Sequence, residues 1–135
     1  MMKKTLLVAA ILLAGGSVYA ETNIDYQSQY DQCVDRITAP YNGAIAACAR
    51  SVDALVSEDL NNTYENIYNF YANDNNPYSP ETARLLKASQ VAYLDYRSKM
   101  CQFRNRIGAM PMDVICPMEM NIRRLRELQE YKLGQ

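Results

Sequence analysis

Four cysteines constrain the fold of this 135-residue chain more than any other feature. The inner pair, Cys48 and Cys101, and the outer pair, Cys33 and Cys116, are both centred on position 74.5, within the turn-like segment 73–78. Residues equidistant from the turn of an antiparallel hairpin lie side by side, which favours nested disulfides, Cys48–Cys101 and Cys33–Cys116. Local disulfides, Cys33–Cys48 and Cys101–Cys116, are the main alternative, because sequence alone does not decide among the three possible connectivities.

The first twenty residues have the layout of an export signal. A cationic start at Lys3 and Lys4 precedes an apolar run at 6–14, and Ala20 closes a stretch suited to cleavage. The apolar run is shorter than the roughly 20 residues that a permanent membrane span needs. We therefore expect residues 1–20 to be removed and residues 21–135 to form one domain in the periplasm or outside a bacterial cell, where cysteines form disulfides and the protein is not integral to the membrane.

The charge of the predicted mature chain argues against nucleic acid as a partner. Removal of Lys3 and Lys4 leaves 12 basic and 15 acidic residues, a net charge of −3. A nucleic-acid-binding protein is expected to carry a dominant basic surface. A mildly acidic exported protein is better suited to attract a basic protein.

The residues that most often perform catalysis or bind metals are missing from the chain. There is no histidine, and every cysteine is expected to be in a disulfide, which removes Ser-His and Cys-His mechanisms. Zinc is the competing interpretation of four cysteines, but no closely spaced cysteine pair supports it. The sequence therefore predicts a protein-binding protein that is not an enzyme and has no cofactor or metal.

Apolar residues recur at helical spacing through most of the predicted mature chain. The pattern predicts a short helix from Ile24 until Pro40, a long helix over 41–72, a second long helix starting at Pro80 behind the N-cap Ser79, and a last helix opened by Pro117. The predicted fold is all-α, a long antiparallel helical hairpin with flanking short helices and two disulfides. The expected buried face of the second long helix is Leu85, Leu86, Ser89, Tyr93, Tyr96, Met100 and Phe103, and that of the last helix is Met118, Ile122, Leu125, Leu128 and Lys132.

Two loop regions are the predicted partner-binding surfaces, because tyrosine and methionine are enriched at interfaces and methionine adapts to irregular surfaces. One is the turn between the long helices and the other is the loop over 104–114. The candidate contact residues are Asn73, Asp74, Asn75 and Tyr78 in the turn, and Arg104, Arg106, Met110 and Met112 in the loop.

Three stretches of the sequence resemble the LprI-like lysozyme-inhibitor family of bacterial envelope proteins. The segment 59–64, Asp-Leu-Asn-Asn-Thr-Tyr, is similar to the family's Asp-x-Leu-Asn-x-x-Tyr signature, and 88–101 is similar to its Ala-Gln-x-x-Trp run that ends in Arg-x-x-x-Cys. The stretch from Cys116 to Leu128 is similar to the closing Cys-x4-Thr-x2-Arg-x3-Leu pattern. The chain departs from the family pattern at three positions. Tyr93 replaces a tryptophan, Ser89 replaces an alanine and Asn121 replaces a threonine.

This resemblance implies a function in binding a cell-wall enzyme. The expectation is inhibition of a peptidoglycan-degrading enzyme such as lysozyme, and the alternative is an immunity protein that neutralises a peptidoglycan-targeting toxin of interbacterial competition, such as a type VI secretion effector. A structural envelope protein without an enzyme target is a third hypothesis. The family-like residues Gln90, Tyr93 and Arg97 share one helix face, so we expect them to hold helices together instead of forming the inhibitory site.

Overall fold

The computed structural model of the protein describes residues 24–73 and 80–131 and contains only helices within them. The four helices are α1 (Tyr26–Asp35), α2 (Asn42–Ala72), α3 (Pro80–Ile107) and α4 (Met112–Gln129). The predicted all-α fold with two long helices is confirmed. The expected export signal, Asp74, Asn75, Tyr78, Ser79 and Lys132 lie outside the described residues.

Local chemistry explains where three of the helices begin. The side chain of Asp25 accepts a hydrogen bond from the backbone N–H of Ser28 at 3.1 Å, which caps α1. Pro40 precedes α2 and excludes a continuous helix from α1. The first position of α3 is Pro80, followed by Glu81 in the first turn, where a carboxylate is favoured by the helix dipole.

The core is built around α2 and α4, which share the largest helix interface, while α1 and α3 pack on either side. Its buried members are mostly aliphatic side chains facing the middle of the bundle, with Val56, Met118 and Leu128 almost completely enclosed. Burying a side chain of this size stabilises the fold by about 1.5–3 kcal/mol. The buried core residues are Tyr26, Ile45, Ala49, Val52, Val56, Leu60, Ile67, Ile115, Met118, Ile122, Leu125 and Leu128.

The long helices α2 and α3 run antiparallel, as the sequence predicts. Asn121 of α4 contacts both Ser57 of α2 and Tyr93 of α3, so these two residues lie at the same level of the bundle. From that level, Ala72 and Pro80 are each about 20 Å along their helices at a rise of ~1.5 Å per residue. In a parallel arrangement these ends would be about 40 Å apart, more than the roughly 30 Å that eight Cα–Cα steps can span.

The disulfides are local, and the predicted nested pairing is wrong. Cys33 bonds to Cys48 and Cys101 bonds to Cys116, with Cα–Cα distances of 5.8 and 5.5 Å. The reason is that α2 and α3 are each covered by a short helix at the end that carries the cysteine. There α1 packs on α2 and α4 lies between α2 and α3, so Cys48 faces α1 and Cys101 faces α4.

The last helix begins at Met112, five residues before the predicted start at Pro117. Pro117 lies inside α4, where it removes one backbone hydrogen bond. The turn before it is held by the burial of Ile115 and by the disulfide of Cys116, and these interactions outweigh the local preference of proline. The predicted buried face of this helix is confirmed for Met118, Ile122, Leu125 and Leu128.

The buried face of α3 is rotated from the predicted one. Leu86, Tyr93 and Met100 pack against the core as expected. Leu85, Tyr96 and Phe103 are more than half exposed, and Ser89 is also exposed, while Ala83, Gln90 and Cys101 are buried instead.

In the described part of the chain, no helix is long and apolar enough to span a membrane.

Candidate functional site: a disulfide-closed corner on a polar core

The end of α3 and the start of α4 form a tight corner, residues 102–115, that is closed by the disulfide Cys101–Cys116. Met120 Sδ packs on this disulfide at 3.6 Å from Cys101 Sγ and 3.8 Å from Cys116 Sγ. Backbone hydrogen bonds tighten the loop, from Gly108 N to Arg104 O at 2.9 Å and from Met112 N to Met110 O at 2.7 Å. The corner is therefore fixed covalently and by its own backbone.

Two of the predicted contact residues hold this corner from inside. Arg104 donates from Nη1 to Glu119 Oε2 at 2.8 Å and places Nη2 3.6 Å from Met112 Sδ. The Arg104 side chain is 29% exposed, and Met112 packs against the core. Arg104 and Met112 therefore hold the corner in position, and their side chains contribute less to its exposed surface.

The outward surface of the corner combines apolar side chains with a cation. Phe103, Ile107 and Met110 are exposed by 56%, 70% and 40%, and Arg106 beside them is also exposed. Clusters of exposed large apolar residues are typical of protein-binding surfaces. Arg106 and Met110 were predicted as contact residues, whereas Phe103 was predicted to be buried and Ile107 was not singled out.

The helical periodicity of α3, measured from Cys101, would have predicted that Phe103 and Ile107 are exposed. Successive residues of a helix are about 100° apart, so Phe103 lies about 200° around α3 from Cys101. Because Cys101 is buried in its disulfide, Phe103 must point away from the core. The predicted buried face of α3 followed the spacing of its apolar residues alone. It did not take Cys101 as the marker of the buried side.

Gly108 is at the tightest point of the corner. A Cβ at this position would meet the backbone oxygen of Arg104 at 2.9 Å and Met112 Cγ at 3.1 Å. The first contact is with helix backbone, which does not move aside as a flexible side chain does. The corner thus requires glycine because of the close approach of the chain.

At the predicted turn between the long helices, only Asn73 of the candidate contact residues is described. It is exposed and follows the end of α2.

A buried polar network next to the corner ties α4 to both long helices. Asn121 is 1% exposed and accepts hydrogen bonds on Oδ1 from Tyr93 OH at 2.6 Å and Arg97 Nη1 at 2.7 Å. Its Nδ2 donates to Asp53 Oδ1 at 2.8 Å and Ser57 Oγ at 3.3 Å. All hydrogen-bonding atoms of this carboxamide are thereby used within the protein.

Arg124 forms the second half of the polar network. Its guanidinium donates to Gln90 Oε1 at 3.1 Å, Ser89 Oγ at 2.9 Å and Glu127 Oε2 at 2.8 Å, and it lies 5.4 Å from the centre of the Tyr93 ring. Burial raises the pKa of the Tyr93 hydroxyl, while the adjacent Arg97 and Arg124 oppose that shift. Gln90, Tyr93 and Arg97 hold the helices together, as their common helix face predicted.

The described residues contain no group of three histidine, cysteine, aspartate or glutamate side chains that could bind a metal ion. All four cysteines are oxidised in disulfides. The fold and the corner therefore define a class: a small disulfide-bonded helical protein with a disulfide-closed corner that exposes apolar side chains.

The family follows from a comparison with protein-family models. The model described as "Lysozyme inhibitor LprI" matches residues 33–128, which is most of the chain. The chain belongs to this family of inhibitors, as the sequence motifs predicted. No curated protein and no solved structure matches the chain.

Proposed function

We propose that this protein is an exported inhibitor of a lysozyme-type peptidoglycan-degrading enzyme, and that it acts by placing the disulfide-closed corner in the enzyme's substrate cleft. The observation that carries the proposal is the combination of an LprI-family chain with a rigid corner that exposes Phe103, Ile107 and Arg106. The protein itself performs no catalysis in this proposal. Residues 1–20 would direct export and then be removed, so the protein would act in the periplasm or outside the cell.

The chemistry of the corner suits the active site of a glycoside hydrolase. Such enzymes commonly use two carboxyl groups on either side of the bond they cleave. The guanidinium of Arg106 would pair with one or both carboxylates, because its planar fork matches carboxylate geometry. The neighbouring Phe103 and Ile107 would cover the cleft walls and exclude water, the environment in which interface residues contribute most.

Rigidity would supply part of the affinity. Ordering a loop on binding costs roughly 0.5–1.5 kcal/mol for each side chain that loses its freedom. The bond between Cys101 and Cys116 and the close approach at Gly108 fix the corner before it meets a partner. Binding would therefore lose less conformational entropy than binding by an open loop.

The first experiment mixes the processed protein, purified from the periplasm after expression of the full chain, with a panel of animal and bacterial lysozymes. The measurement is the rate of lysis of a cell-wall suspension as a function of inhibitor concentration. We expect at least one enzyme to be inhibited with one-to-one stoichiometry. Full activity of every enzyme at micromolar excess of the protein would contradict the proposal.

A second experiment locates the inhibitory surface with paired variants. Arg106→Glu and Phe103→Ala should each weaken inhibition about tenfold or more, the effect expected of residues at the centre of an interface. The matched controls on α2 are Arg50→Glu and Leu55→Ala, which change exposed side chains outside residues 102–115. Equal losses in both sets would place the inhibitory surface elsewhere, whereas unchanged thermal unfolding would exclude misfolding as the cause.

The same corner would serve an immunity protein that blocks a toxin of the glycoside-hydrolase type, since such a toxin would carry a similar carboxylate pair. A strain lacking the protein distinguishes the two targets. Loss of protection against a competing bacterium, with no change in lysozyme sensitivity, would favour the immunity role over inhibition of lysozyme.

A further inference from the structure

A second surface of the molecule has the form of a ligand site and is not part of the corner's exposed surface. An open groove of about 740 Å³ runs along the outer side of α4, between α1 and α3. The residues that line it from the three helices include Gln27, Tyr96, Met100, Glu119, Arg123 and Arg126. A volume of this size is typical of sites for small molecules, which range from roughly 300 to 1,000 Å³.

The charge of the groove is opposite to that of the predicted mature chain. Four arginines and two glutamates line it, and two of these arginines are paired with the glutamates. Arg104 bonds to Glu119 at 2.8 Å and Arg124 bonds to Glu127 at 2.8 Å. The remaining positive charge belongs to Arg123 and Arg126, on a protein whose predicted net charge is −3.

Neither of these two arginines is strongly engaged within the protein. Arg126 lies 3.6 Å from Asp25, but both side chains are more than half exposed, and such pairs contribute little. Within residues 24–73 and 80–131, Arg123 forms no ion pair. Since they are three positions apart on α4, their Cβ atoms are about 5–6 Å apart, so the two guanidinium groups can face one ligand.

The α3 wall of the groove adds an apolar and aromatic surface beside these charges. Tyr96 is 55% exposed although it is an aromatic residue, and Met100 is partly buried next to it. The wall extends from Tyr93 to Arg104, about 16 Å at the rise of an α-helix. An extended peptide covers that distance with about five residues at roughly 3.3 Å each.

We infer that this groove binds a short acidic peptide of about five residues that carries at least two carboxylates. The peptide lies along α4, with its carboxylates on Arg123 and Arg126 and an apolar side chain against Tyr96. Free peptides released from a cell wall and short segments of a protein both have this chemistry. The inference commits to the free peptide and does not depend on inhibition by the corner.

The test uses the processed protein and isothermal titration calorimetry with two capped pentapeptides of the same length, one with two glutamates and one with glutamines in their place. The acidic peptide should bind, its affinity should fall when the salt is raised to about 0.5 M, and the glutamine peptide should bind at least about tenfold more weakly. The double variant Arg123→Glu/Arg126→Glu should lose the acidic peptide. The control Arg50→Glu/Lys87→Glu changes the net charge equally outside the groove and should keep the affinity within about twofold.

Three results would overturn the inference: no heat with the acidic peptide, equal binding of both peptides, or equal loss in the control variant. Circular dichroism of both double variants verifies that the fold is intact. Binding of the acidic sequence only within a larger polypeptide, and not as a free peptide, would likewise overturn the inference. The lysis assay with Arg123→Glu/Arg126→Glu should be unchanged, which separates a failure here from a failure of the inhibitor proposal.

Discussion

Asn121 of α4 donates a hydrogen bond from Nδ2 to Asp53 Oδ1 of α2 at 2.8 Å, across a sequence separation of 68 residues. Its Oδ1 accepts from Tyr93 OH and Arg97 on α3. A single side chain thus joins the three helices at one level of the bundle. The Asn121 side chain therefore lies between the two long helices at that level.

Replacement of Asn121 should destabilise the protein severely. Asn121→Ala leaves the Asp53 carboxylate without this donor and Tyr93 OH and Arg97 without their acceptor. Unsatisfied buried polar groups cost roughly 1–3 kcal/mol each, so we expect a loss of about 3 kcal/mol in the free energy of unfolding, measured with urea. The exposed Asn62→Ala on α2 is the matched control and should change it by less than about 0.5 kcal/mol. Similar values for both variants would contradict this role for Asn121.

The two disulfides should contribute similarly to stability but differently to function. Each closes a loop with a sequence separation of 15, for which the chain-entropy model predicts about 3 kcal/mol. Cys33→Ala/Cys48→Ala and Cys101→Ala/Cys116→Ala should both lower the urea midpoint.

Only the second double variant frees the corner, so it alone should also weaken inhibition, as measured in the lysis assay. Peptide mapping without reduction should recover Cys33 linked to Cys48 in the unaltered protein. Recovery of Cys48 linked to Cys101 would contradict the structure.

The sequence predicted the helices correctly but the disulfide pairing incorrectly, because the two depend on different kinds of interaction. Helix class and the start at Pro80 depend on local periodicity and capping, which a single sequence contains. The pairing of cysteines depends on which helix covers which, and α4 occupies space between α2 and α3 that the symmetric spacing of the cysteines does not reveal. The start of α4 was wrong because Pro117 has a local preference that the tertiary contacts of Ile115 and Cys116 overcome.

The binding surface was predictable in part. Met110 was found from a residue type that favours interfaces and Arg106 from its place in the predicted loop. Phe103 required knowledge of which side of α3 is buried. The anchoring role of Arg104 depends on Glu119, 15 residues away, and is visible only after folding.

Gly108 should be necessary for the corner, and Gly43 provides a matched comparison. In Gly108→Ala the new Cβ meets the Arg104 backbone oxygen at 2.9 Å, so the corner must shift, and we expect a loss of roughly 1–3 kcal/mol. In Gly43→Ala the Cβ meets only the ring of Tyr41, at 2.8 Å, and this exposed side chain can move.

Gly43 is in the first turn of α2, where alanine is favoured over glycine by less than the ~1 kcal/mol of a helix interior, so Gly43→Ala should be neutral or slightly stabilising. Urea unfolding measures both changes, and the lysis assay should respond to Gly108→Ala alone. A neutral effect of Gly108→Ala on stability and inhibition would exclude a rigid corner.

Alkaline pH should destabilise the protein through Tyr26. This residue is 5% exposed and donates to Asp59, and burial, that hydrogen bond and the nearby carboxylates of Asp59 and Glu58 all raise its pKa above the usual value of about 10. The unfolded chain therefore releases this proton at a lower pH than the folded chain, so the contribution is fully present below pH ~10 and is lost as the pH rises towards the folded pKa. The free energy of unfolding should fall as the pH rises above about 10, towards the folded pKa of Tyr26. Tyr26→Phe should reduce that slope, and it should lower stability at neutral pH through loss of the Asp59 bond. The exposed Tyr131→Phe should keep the unaltered slope. If Tyr26→Phe and Tyr131→Phe show the same pH dependence, the contact between α1 and α2 does not hold Tyr26 in its protonated form.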